Sequence, residues 1–392
     1  MGSRVAIIGG WALALTLAAC SEDETSSTSG SVPSADATTA SSAEVIPTAS
    51  ATALPEPGPP PLDTMPDKWG DEVTWSGSLE EQNALMLDQI QHVHGIDAEQ
   101  RKSLETVFAA SDVLGQGNPK AAKHAASPKA CREELKKESI RYENATFEKI
   151  CGHPYMAPLY DPDKEEPQDA STCIDMFEFP NIPCVYPVTW VRANEAVALC
   201  QAVGKRLCDA HEWEGACWGK LTSVDESYNF GLIEKMPLED AIKGMRAQQN
   251  IKNHETRRWA YGEKYSSGKG TCATASRKSE DCGVGYKKCG TNTYPAGMFP
   301  KCKSPLGVYD QHGNAAEHMN LPLSPDQLAS SPDQRYGHTE MKGSWFVFDQ
   351  IKAHEDHCRW RAPYWHGTRV MNDKSHRNYH LGFRCCASIR PR

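Results

Sequence analysis

The sequence lacks the features that mark nucleic-acid-binding and membrane-surface proteins. Of its 392 residues, 42 are Lys or Arg and 51 are Asp or Glu, which gives a formal net charge of −9. No long basic run is present, so nothing indicates the positive surface that binds nucleic acid or an anionic bilayer. G-x-S-x-G, P-loop and H-E-x-x-H motifs are also absent, and the enzyme classes that carry those motifs are therefore not indicated.

Cysteine, by contrast, is abundant, and 15 cysteines indicate an oxidising compartment. The first twenty residues agree with export, because Arg4 precedes an apolar run at residues 5–17 that is too short to span a bilayer. Residues 17–20 read LAAC, which resembles the bacterial lipobox and predicts that Cys20 carries a lipid. Ser21 directly after it favours the outer membrane. We therefore expect an exported protein, lipid-anchored in the outer membrane and facing the periplasm or the surface.

Composition divides the remaining chain into three parts. Residues 21–67 are rich in Ser, Thr, Ala and Pro and bury too little apolar surface to offset the entropy of ordering, so they predict a disordered tether. Residues 68–150 predict a helical preface, with a helical hairpin broken near residues 95–97. Residues 151–392 predict one domain, in which residues 192–203 form the clearest helix.

Fourteen cysteines remain after Cys20, an even number that favours structural disulfides over a free nucleophile. Cys131 and Cys151 lie on either side of a charged helical segment. They are expected to bond to each other or to the loop that follows.

Seven segments of the chain carry a resemblance to a known family. They read, in chain order, CIDMFE at residues 173–178, PVTW at 187–190, GKRLCDAHEWE at 204–214, WAYG at 259–262, GVYDQHGNAAE at 307–317, KGSW at 342–345 and LGFR at 381–384. Each segment alone is a weak signal, but all seven in family order are specific. The chain resembles the formylglycine-generating-enzyme, or sulfatase-modifying-factor, domain family, in a cysteine-rich bacterial lipoprotein version.

The resemblance implies an α+β fold of the formylglycine-generating-enzyme type, related to C-type lectin folds, with little regular secondary structure and many disulfides. Irregular backbone inside a domain needs buried polar partners. We therefore expect Arg206, Glu212, Glu214 and Arg384 to be buried hydrogen-bonding residues rather than catalytic ones.

Two disulfides are implied by the resemblance alone, Cys200 with Cys385 and Cys217 with Cys358. Cys208 replaces the usual proline of its motif, and a bond to Cys173 or to Cys184 is expected for it. The sequence leaves the pairing of the other cysteines open; they are Cys272, Cys282, Cys289, Cys302 and Cys386.

The aerobic enzymes of this family resemble copper oxidases in which two thiolates bind Cu(I), and soft sulfur ligands suit that ion. By the family's spacing, the two thiols would stand at Val347 and Lys352. Neither side chain provides a thiolate, so copper is not expected and no catalytic residue is assigned. His354 and His357, next to Cys358, could form a replacement metal site, but no second ligand pair follows at a recognisable spacing, which favours a polar surface insertion. His312 and His318 are expected to be packing or solvated residues.

Calcium is the expected metal. The resemblance implies a structural Ca²⁺ site at Asp310, the carbonyl groups of Gly313 and Ala315, and Glu317. Hard oxygen ligands in a tight loop suit Ca²⁺, and the two carboxylates offset its charge.

The leading hypothesis is therefore an exported lipoprotein whose sulfatase-modifying-factor-like domain lacks the copper pair and acts as a binding or scaffolding module. Its expected partners are the membrane, through the lipid, and a protein or small-molecule ligand that the sequence does not name. The alternative is an oxidoreductase of the formylglycine-generating-enzyme type, either a metal-dependent oxidase or a non-haem iron enzyme that uses histidines between residues 343 and 384.

Overall fold

Eight helices and two small sheets carry the fold in the computed structural model, which describes residues 77–266, 270–363 and 367–389. The predicted export signal, Cys20 and the predicted tether lie outside these residues. Within the described ranges, every helix is too short or too polar to cross a bilayer. The mixture of helices, short strands and seven disulfides confirms the predicted disulfide-rich α+β class.

The helices begin and end where local sequence favours it. They span Leu79–His94 (α1), Ala98–Ala109 (α2), Pro128–Lys137 (α3), Ala145–Cys151 (α4), Ala193–Ala202 (α5), Ala210–Trp218 (α6), Val224–Ser227 (α7) and Leu238–Lys252 (α8). Ser78 and Glu81 form a capping box at the start of α1, and Gly95 ends it in the left-handed region at φ 62°. Asp97 caps α2. The predicted hairpin of α1 and α2, with its break at residues 95–97, is confirmed.

The strands form two sheets. They span Met156–Leu159 (β1), Thr172–Asp175 (β2), Arg206–Leu207 (β3), Ala316–Leu321 (β4), His338–Lys342 (β5), Leu381–Phe383 (β6) and Cys385–Ser388 (β7). One sheet has the order β1-β2-β7-β3 and is antiparallel throughout. The other has the order β5-β4-β6, with β4 and β6 parallel. The last strands of the chain thus enter both sheets and close the fold.

The first two helices share a hydrophobic core with the later chain. Met86 of α1 and Leu104 of α2 belong to the same buried cluster as Val197 of α5 and Phe383 of β6. Burial of such side chains stabilises the fold by about 1.5–3 kcal/mol each. The helical segment therefore packs on the domain that follows it, and the domain boundary near residue 150 stays a prediction.

Buried ion pairs lie between the sheets and α6, as expected for the motif residues. Arg206 is paired with Glu212 at 2.6 Å, and Arg384 with Glu317 at 2.6 Å. Glu214 accepts hydrogen bonds from Arg361 and Lys342. We call these three groups of residues the buried ionic frame. The predicted burial and hydrogen bonding of Arg206, Glu212, Glu214 and Arg384 are confirmed.

All fourteen cysteines within the described ranges are in disulfides. Cys200 is bonded to Cys385 and Cys217 to Cys358, the two pairs that the family resemblance implies. The other bonds join Cys131 to Cys184, Cys151 to Cys173, Cys208 to Cys386, Cys272 to Cys302 and Cys282 to Cys289.

Two expected pairings differ from the structure. Cys131 and Cys151 are not bonded to each other, because each fastens its own helix to the domain: Cys131 of α3 to Cys184, and Cys151 of α4 to Cys173 in β2. Of the two alternatives, the bond between Cys131 and Cys151 is therefore wrong.

Cys208 is bonded to Cys386 rather than to Cys173 or Cys184. It directly follows β3, and in the pairing of β3 with β7 Arg206 stands opposite Cys386. Cys173 stands opposite Ala387, whose side chain points to the other face of the sheet from that of Cys386. The strand register therefore places the side chain of Cys173 on the face of the sheet where Cys151 lies.

Candidate functional site

The position that the family reserves for its first copper thiol is part of a packed aromatic cluster. Trp345, Phe346, Val347 and Phe348 are all buried and contact one another, with Tyr265, Ile351 and Tyr379 packed against them. We call this group the Trp345 cluster. Val347 is only 1% exposed, so its isopropyl group is packed inside this cluster.

The second position, Lys352, contacts an aromatic ring that packs against the same cluster. Its ammonium nitrogen lies 4.3 Å from the ring centroid of Tyr265, in a cation–π contact. Tyr265 in turn donates a hydrogen bond to Asp349 at 2.8 Å. Val347 and Lys352 are therefore linked through Tyr265, which packs against the cluster and lies under the Lys352 ammonium group.

Two histidines of this region, His354 and His380, are stacked on aromatic rings. His354 lies parallel to Trp360, with ring centroids 4.8 Å apart, and His380 is stacked on Trp345 at 4.7 Å. Nδ1 of His354 lies 2.6 Å from the carbonyl oxygen of Glu355. Burial lowers the pKa of His354 and that of His357, to about 4. Both rings are therefore neutral at pH 7.

Potential metal ligands converge at two places in the described residues. Ligand atoms of Cys217, His312 and Cys358 lie within 4.8 Å of one another, as do those of Cys208, Glu212 and Cys386. Each group contains a disulfide, and a disulfide sulfur is not the thiolate that binds metal. His354 and His357 belong to neither group, so no third ligand for a replacement site joins them among the described residues.

The first of these groups is a buried chain of polar contacts that sequence analysis did not single out. Nε2 of His312 lies 3.3 Å from Sγ of Cys217 and accepts the backbone N–H of Ala260 at 3.0 Å. Because Nε2 accepts this N–H, it is Nδ1 that can donate, and Nδ1 faces Asp356 at 3.7 Å. His312 is fully buried, so the expectation of a packing role fits, but a solvated one does not.

Asp356 is the centre of that chain. It accepts hydrogen bonds from Nε1 of Trp259 at 2.8 Å and from Oγ of Ser344 at 3.0 Å. Burial alone would raise its pKa, but the contacts with His312, Trp259 and Ser344 lower it below its usual value. Asp356, His312 and Cys217 follow one another as an orienting carboxylate, a base and a nucleophile would. With the disulfide intact, Cys217 has no proton for His312 to take, so the arrangement positions the disulfide.

Three of the residues predicted to hold calcium, Asp310, Gly313 and Ala315, lie in a tight loop before β4, and the fourth, Glu317, lies in β4 itself. Gly313 has φ 79°, and a Cβ at this position would lie 2.4 Å from the carbonyl oxygen of Ala273, so only glycine fits. Oδ2 of Asp310 accepts the N–H of Gly297. Oδ1 of Asp310 is buried and has no hydrogen-bond partner among the described residues. Burial raises the pKa of Asp310 to about 7.

The structure fits calcium with a different second carboxylate from the one that the sequence indicates. Both oxygens of Glu317 accept hydrogen bonds from Arg384, at 2.6 and 2.8 Å, so this carboxylate is already neutralised. Glu178 is the better candidate, since its Oε1 accepts the N–H of Ala315 at 3.3 Å and its Oε2 is buried without a partner in the described chain. Burial, followed by the charge of Asp310, raises the pKa of Glu178. Sequence analysis assigned Glu178 only to a strand motif.

Comparison with known families agrees with this geometry. The model of the sulfatase-modifying factor enzyme 1-like domain matches residues 181–389, which is more than half of the chain. No curated protein matches the sequence. The matched range contains the Trp345 cluster, the buried ionic frame and the loop of Asp310 and Gly313. The chain therefore belongs to the sulfatase-modifying factor enzyme 1-like domain family.

Proposed function

We propose that this protein is an exported, lipid-anchored member of its family that has no copper oxidase site and acts as a disulfide-braced binding module. Val347 carries the proposal. A thiolate at this position would have to face an open cleft, whereas the valine side chain is buried among Trp345, Phe346 and Phe348. Lys352, at the second thiol position, is held over Tyr265.

The state of the cysteines supports the same proposal. Copper oxidase chemistry requires two thiolates, and each cysteine within residues 77–266, 270–363 and 367–389 is already bonded to another. The family's fold is retained together with its buried ion pairs. A retained framework without redox ligands favours recognition over chemistry.

The test is a copper titration and an activity assay on the same preparation. The protein, purified with its disulfides intact, is titrated with Cu(I) under anaerobic conditions and then incubated in air with a Cys-x-Pro-x-Arg peptide. We expect no stoichiometric Cu(I) binding and no aldehyde on the peptide. One Cu(I) per chain together with aldehyde formation would refute the proposal. Iron at unit stoichiometry in the purified protein would instead favour the non-haem iron alternative.

A double variant provides the matched control. Val347→Cys with Lys352→Cys places thiols at both positions and leaves the buried ionic frame unchanged. We expect this variant to gain Cu(I) binding relative to the natural chain, since soft sulfur ligands select that ion. Cu(I) binding by this variant would also show that the titration can detect a copper site in this fold.

Calcium is part of the proposal as a structural ion. We propose that Asp310, Glu178 and the carbonyl groups of Gly313 and Ala315 hold it, because two buried carboxylate oxygens without partners suit a hard cation. Calcium should raise the thermal unfolding temperature of the natural chain. The Asp310→Asn and Glu178→Gln variants should lose this response. An equal response of the natural chain and both variants would place the ion elsewhere.

The lipid anchor at Cys20 is tested by labelling cells with an alkyne fatty acid and separating their membranes. We expect the natural chain to be labelled and to fractionate with the outer membrane, and the Cys20→Ser variant to be unlabelled. A labelled variant would contradict the anchor.

A further inference from the structure

Exposed cations from three separate segments of the chain meet beside the disulfide of Cys282 and Cys289. Each segment supplies two of them, and the six are Lys120, Lys123, Arg277, Lys278, Lys287 and Lys288. We call these six side chains the basic patch. No single stretch of the sequence shows the patch, because its segments lie at residues 118–123, 276–282 and 286–289.

Hydrogen bonds hold the three segments together. Asn292 joins the first two, since its Oδ1 accepts the N–H of Lys123 at 2.7 Å and its Nδ2 donates to the carbonyl of Arg277 at 3.2 Å. Nδ2 of Asn118 donates to the carbonyl of Tyr286 at 2.9 Å and so joins the first segment to the third. The fold therefore brings the six cations into one region of the surface.

Few carboxylates offset the charge of the patch. Its own segments contain Glu280 and Asp281, and Oδ2 of Asp281 lies 3.8 Å from Nζ of Lys288. The other five cations of the patch have no ion pair with a carboxylate among the described residues.

Two carboxylates of other segments act on the same region. Burial, followed by the charges of Asp112 and Glu80, raises the pKa of Tyr286, and Asp112 is itself paired with Arg377 at 3.5 Å. With these groups included, seven cations stand against four carboxylates, for a net charge of +3, whereas the whole chain carries −9. The region is therefore positive on an otherwise acidic protein.

The loop closed by the disulfide presents an apolar side chain next to these cations. Val284 is 61% exposed and is one of five large apolar side chains that are exposed in the described chain. The base of the loop is packed, because Cys289 is buried in a cluster with Trp190, against which Cys282 and Tyr286 also pack. Val284 is thus held outward by a loop whose base is fixed.

Cations around an exposed apolar side chain are the combination that an anionic membrane surface recognises. The negative potential of lipid headgroups attracts Lys and Arg over about a Debye length. An apolar side chain is stabilised when it enters the boundary between headgroups and acyl chains. A soluble polyanion would engage the cations but would leave Val284 in water, so the two features together favour a lipid surface.

We propose that the basic patch binds the anionic headgroups of a bilayer, with Val284 inserted at the boundary between headgroups and acyl chains. This surface goes beyond the proposed function and does not require the lipid at Cys20. In the anchored protein, lipid and patch act on the same membrane, so the anchor holds the patch at a high effective concentration.

The test measures vesicle binding by the chain from Ser21 onward, which contains every described residue and carries no lipid. Co-sedimentation compares vesicles of phosphatidylcholine alone with vesicles that also contain phosphatidylglycerol. We expect saturable binding to the anionic vesicles only. Raising the NaCl concentration should weaken this binding, because salt screens exposed charges.

Two variants test the two features of the surface separately. Lys123→Gln with Lys287→Gln removes one cation from each of two segments and should weaken binding to anionic vesicles by about tenfold. Val284→Ser should weaken it by about fivefold, because a hydroxyl is not stabilised by entering the apolar boundary. Both variants change exposed side chains or their tips, so their thermal unfolding temperatures should stay close to that of the natural chain.

A matched variant controls for the overall change in charge. Lys235→Gln with Lys243→Gln removes two exposed lysines, one just before α8 and one within it. This helix packs on β4 and β5 and contains no residue of the basic patch. The variant should bind both kinds of vesicle as the natural chain does.

Three results would overturn the inference: no binding to anionic vesicles, equal binding to both kinds of vesicle, or equal weakening in the two lysine variants. Weakening by the Lys123 and Lys287 changes without any effect of Val284→Ser would also overturn it, in favour of a soluble polyanion such as polyphosphate. None of these results depends on the peptide oxidation assay or on the labelling of Cys20. Failure of this inference and failure of the proposed function are therefore distinguishable.

Discussion

The buried ionic frame and the Trp345 cluster lie in the same domain but are built by different physical means. In the frame, the ion pairs of Arg384 with Glu317 and of Arg361 with Glu214 are formed at buried positions. In the cluster, Trp345, Val347 and Phe348 are held by apolar contact. Most residues of the frame lie in segments that match the family motifs, whereas the resemblance places the family's two thiols at Val347, within the cluster, and at Lys352, beside it.

The comparison shows that the residues that stabilise this fold by ion pairing are not those at the positions of the family's thiols. Removing one partner of a buried ion pair costs about 3–5 kcal/mol, because the other charge remains buried. Exchanging one small apolar side chain for another of similar volume costs less than about 1.5 kcal/mol. The side chains of cysteine and valine are close in size, so an exchange between them costs the fold little. Replacing one member of a buried ion pair costs much more.

The largest expected effect is the loss of a long-range disulfide of the framework. Replacing Cys200 and Cys385, which are 185 residues apart, by Ser should lower the free energy of unfolding by about 4 kcal/mol, because the unfolded chain gains the most freedom. Replacing Cys282 and Cys289, which are 7 residues apart, should cost about 2 kcal/mol. Urea unfolding of both variants measures the difference, and equal midpoints would contradict it.

The next effect concerns Glu214. Although its burial would raise the pKa, the charges of Arg361 and Lys342 lower it to about 2. Glu214→Gln should cost about 3 kcal/mol at pH 7, since two cations remain buried. The matched variant Glu239→Gln changes an exposed residue of α8 and should cost less than about 0.5 kcal/mol.

The pH dependence of the Glu214 variant sharpens the same prediction. A carboxylate whose pKa is lower in the folded state stabilises the protein above pH 4.5 and loses this effect as the pH falls towards 2. The difference in unfolding free energy between the natural chain and Glu214→Gln should therefore shrink below pH 4.5. A difference independent of pH would show that packing, not charge, sets the cost.

A smaller effect is expected at His338 in β5. Burial, with the charges of Arg246 and Arg369, lowers its pKa to about 4. Because the unfolded chain takes up this proton first, His338 should destabilise the fold by up to about 1.4 kcal/mol per pH unit between pH 6.5 and 4. His338→Gln should flatten that slope, and His254→Gln, at an exposed position, should not. Guanidinium unfolding at several pH values would decide.

The smallest effect should arise at Lys352, which contacts Tyr265 of the Trp345 cluster. Lys352→Gln removes the cation–π contact with Tyr265 and should lower the free energy of unfolding by about 0.5–1 kcal/mol. Val347→Cys should cost no more than about 1.5 kcal/mol. A cost above 3 kcal/mol for either variant would mean that the cluster is as essential to the fold as the buried ionic frame, which would remove the contrast between them.

The sequence predicts the framework well, because the signals for helix ends are local and those for the long-range disulfides are carried by family motifs. The break of α1 and α2 at Gly95 follows from helix capping, and the bond between Cys200 and Cys385 follows from the family resemblance. Cys131 and Cys151 were expected to bond locally, but strand register and helix docking, which no local pattern contains, decide their partners.

The parts of the sites that the sequence did not predict depend on convergence in space. Glu178 reaches the loop of Asp310 through the N–H of Ala315, 137 residues away in the chain. His312 meets Cys217 across a separation of 95 residues. The basic patch likewise exists only when its three segments dock. The one signal at Glu178 in the sequence is its place at the end of the CIDMFE segment that matches the family.

The most direct test of the central claim is a map of free thiols. The folded protein is denatured without reductant in the presence of an alkylating agent, digested and analysed by mass spectrometry. The account predicts no alkylated cysteine between residues 77 and 389, and disulfide-linked peptides that join Cys217 to Cys358 and Cys208 to Cys386. Two stoichiometrically alkylated cysteines in the folded, copper-binding protein would contradict the account, because a thiol pair would then be available for oxidase chemistry.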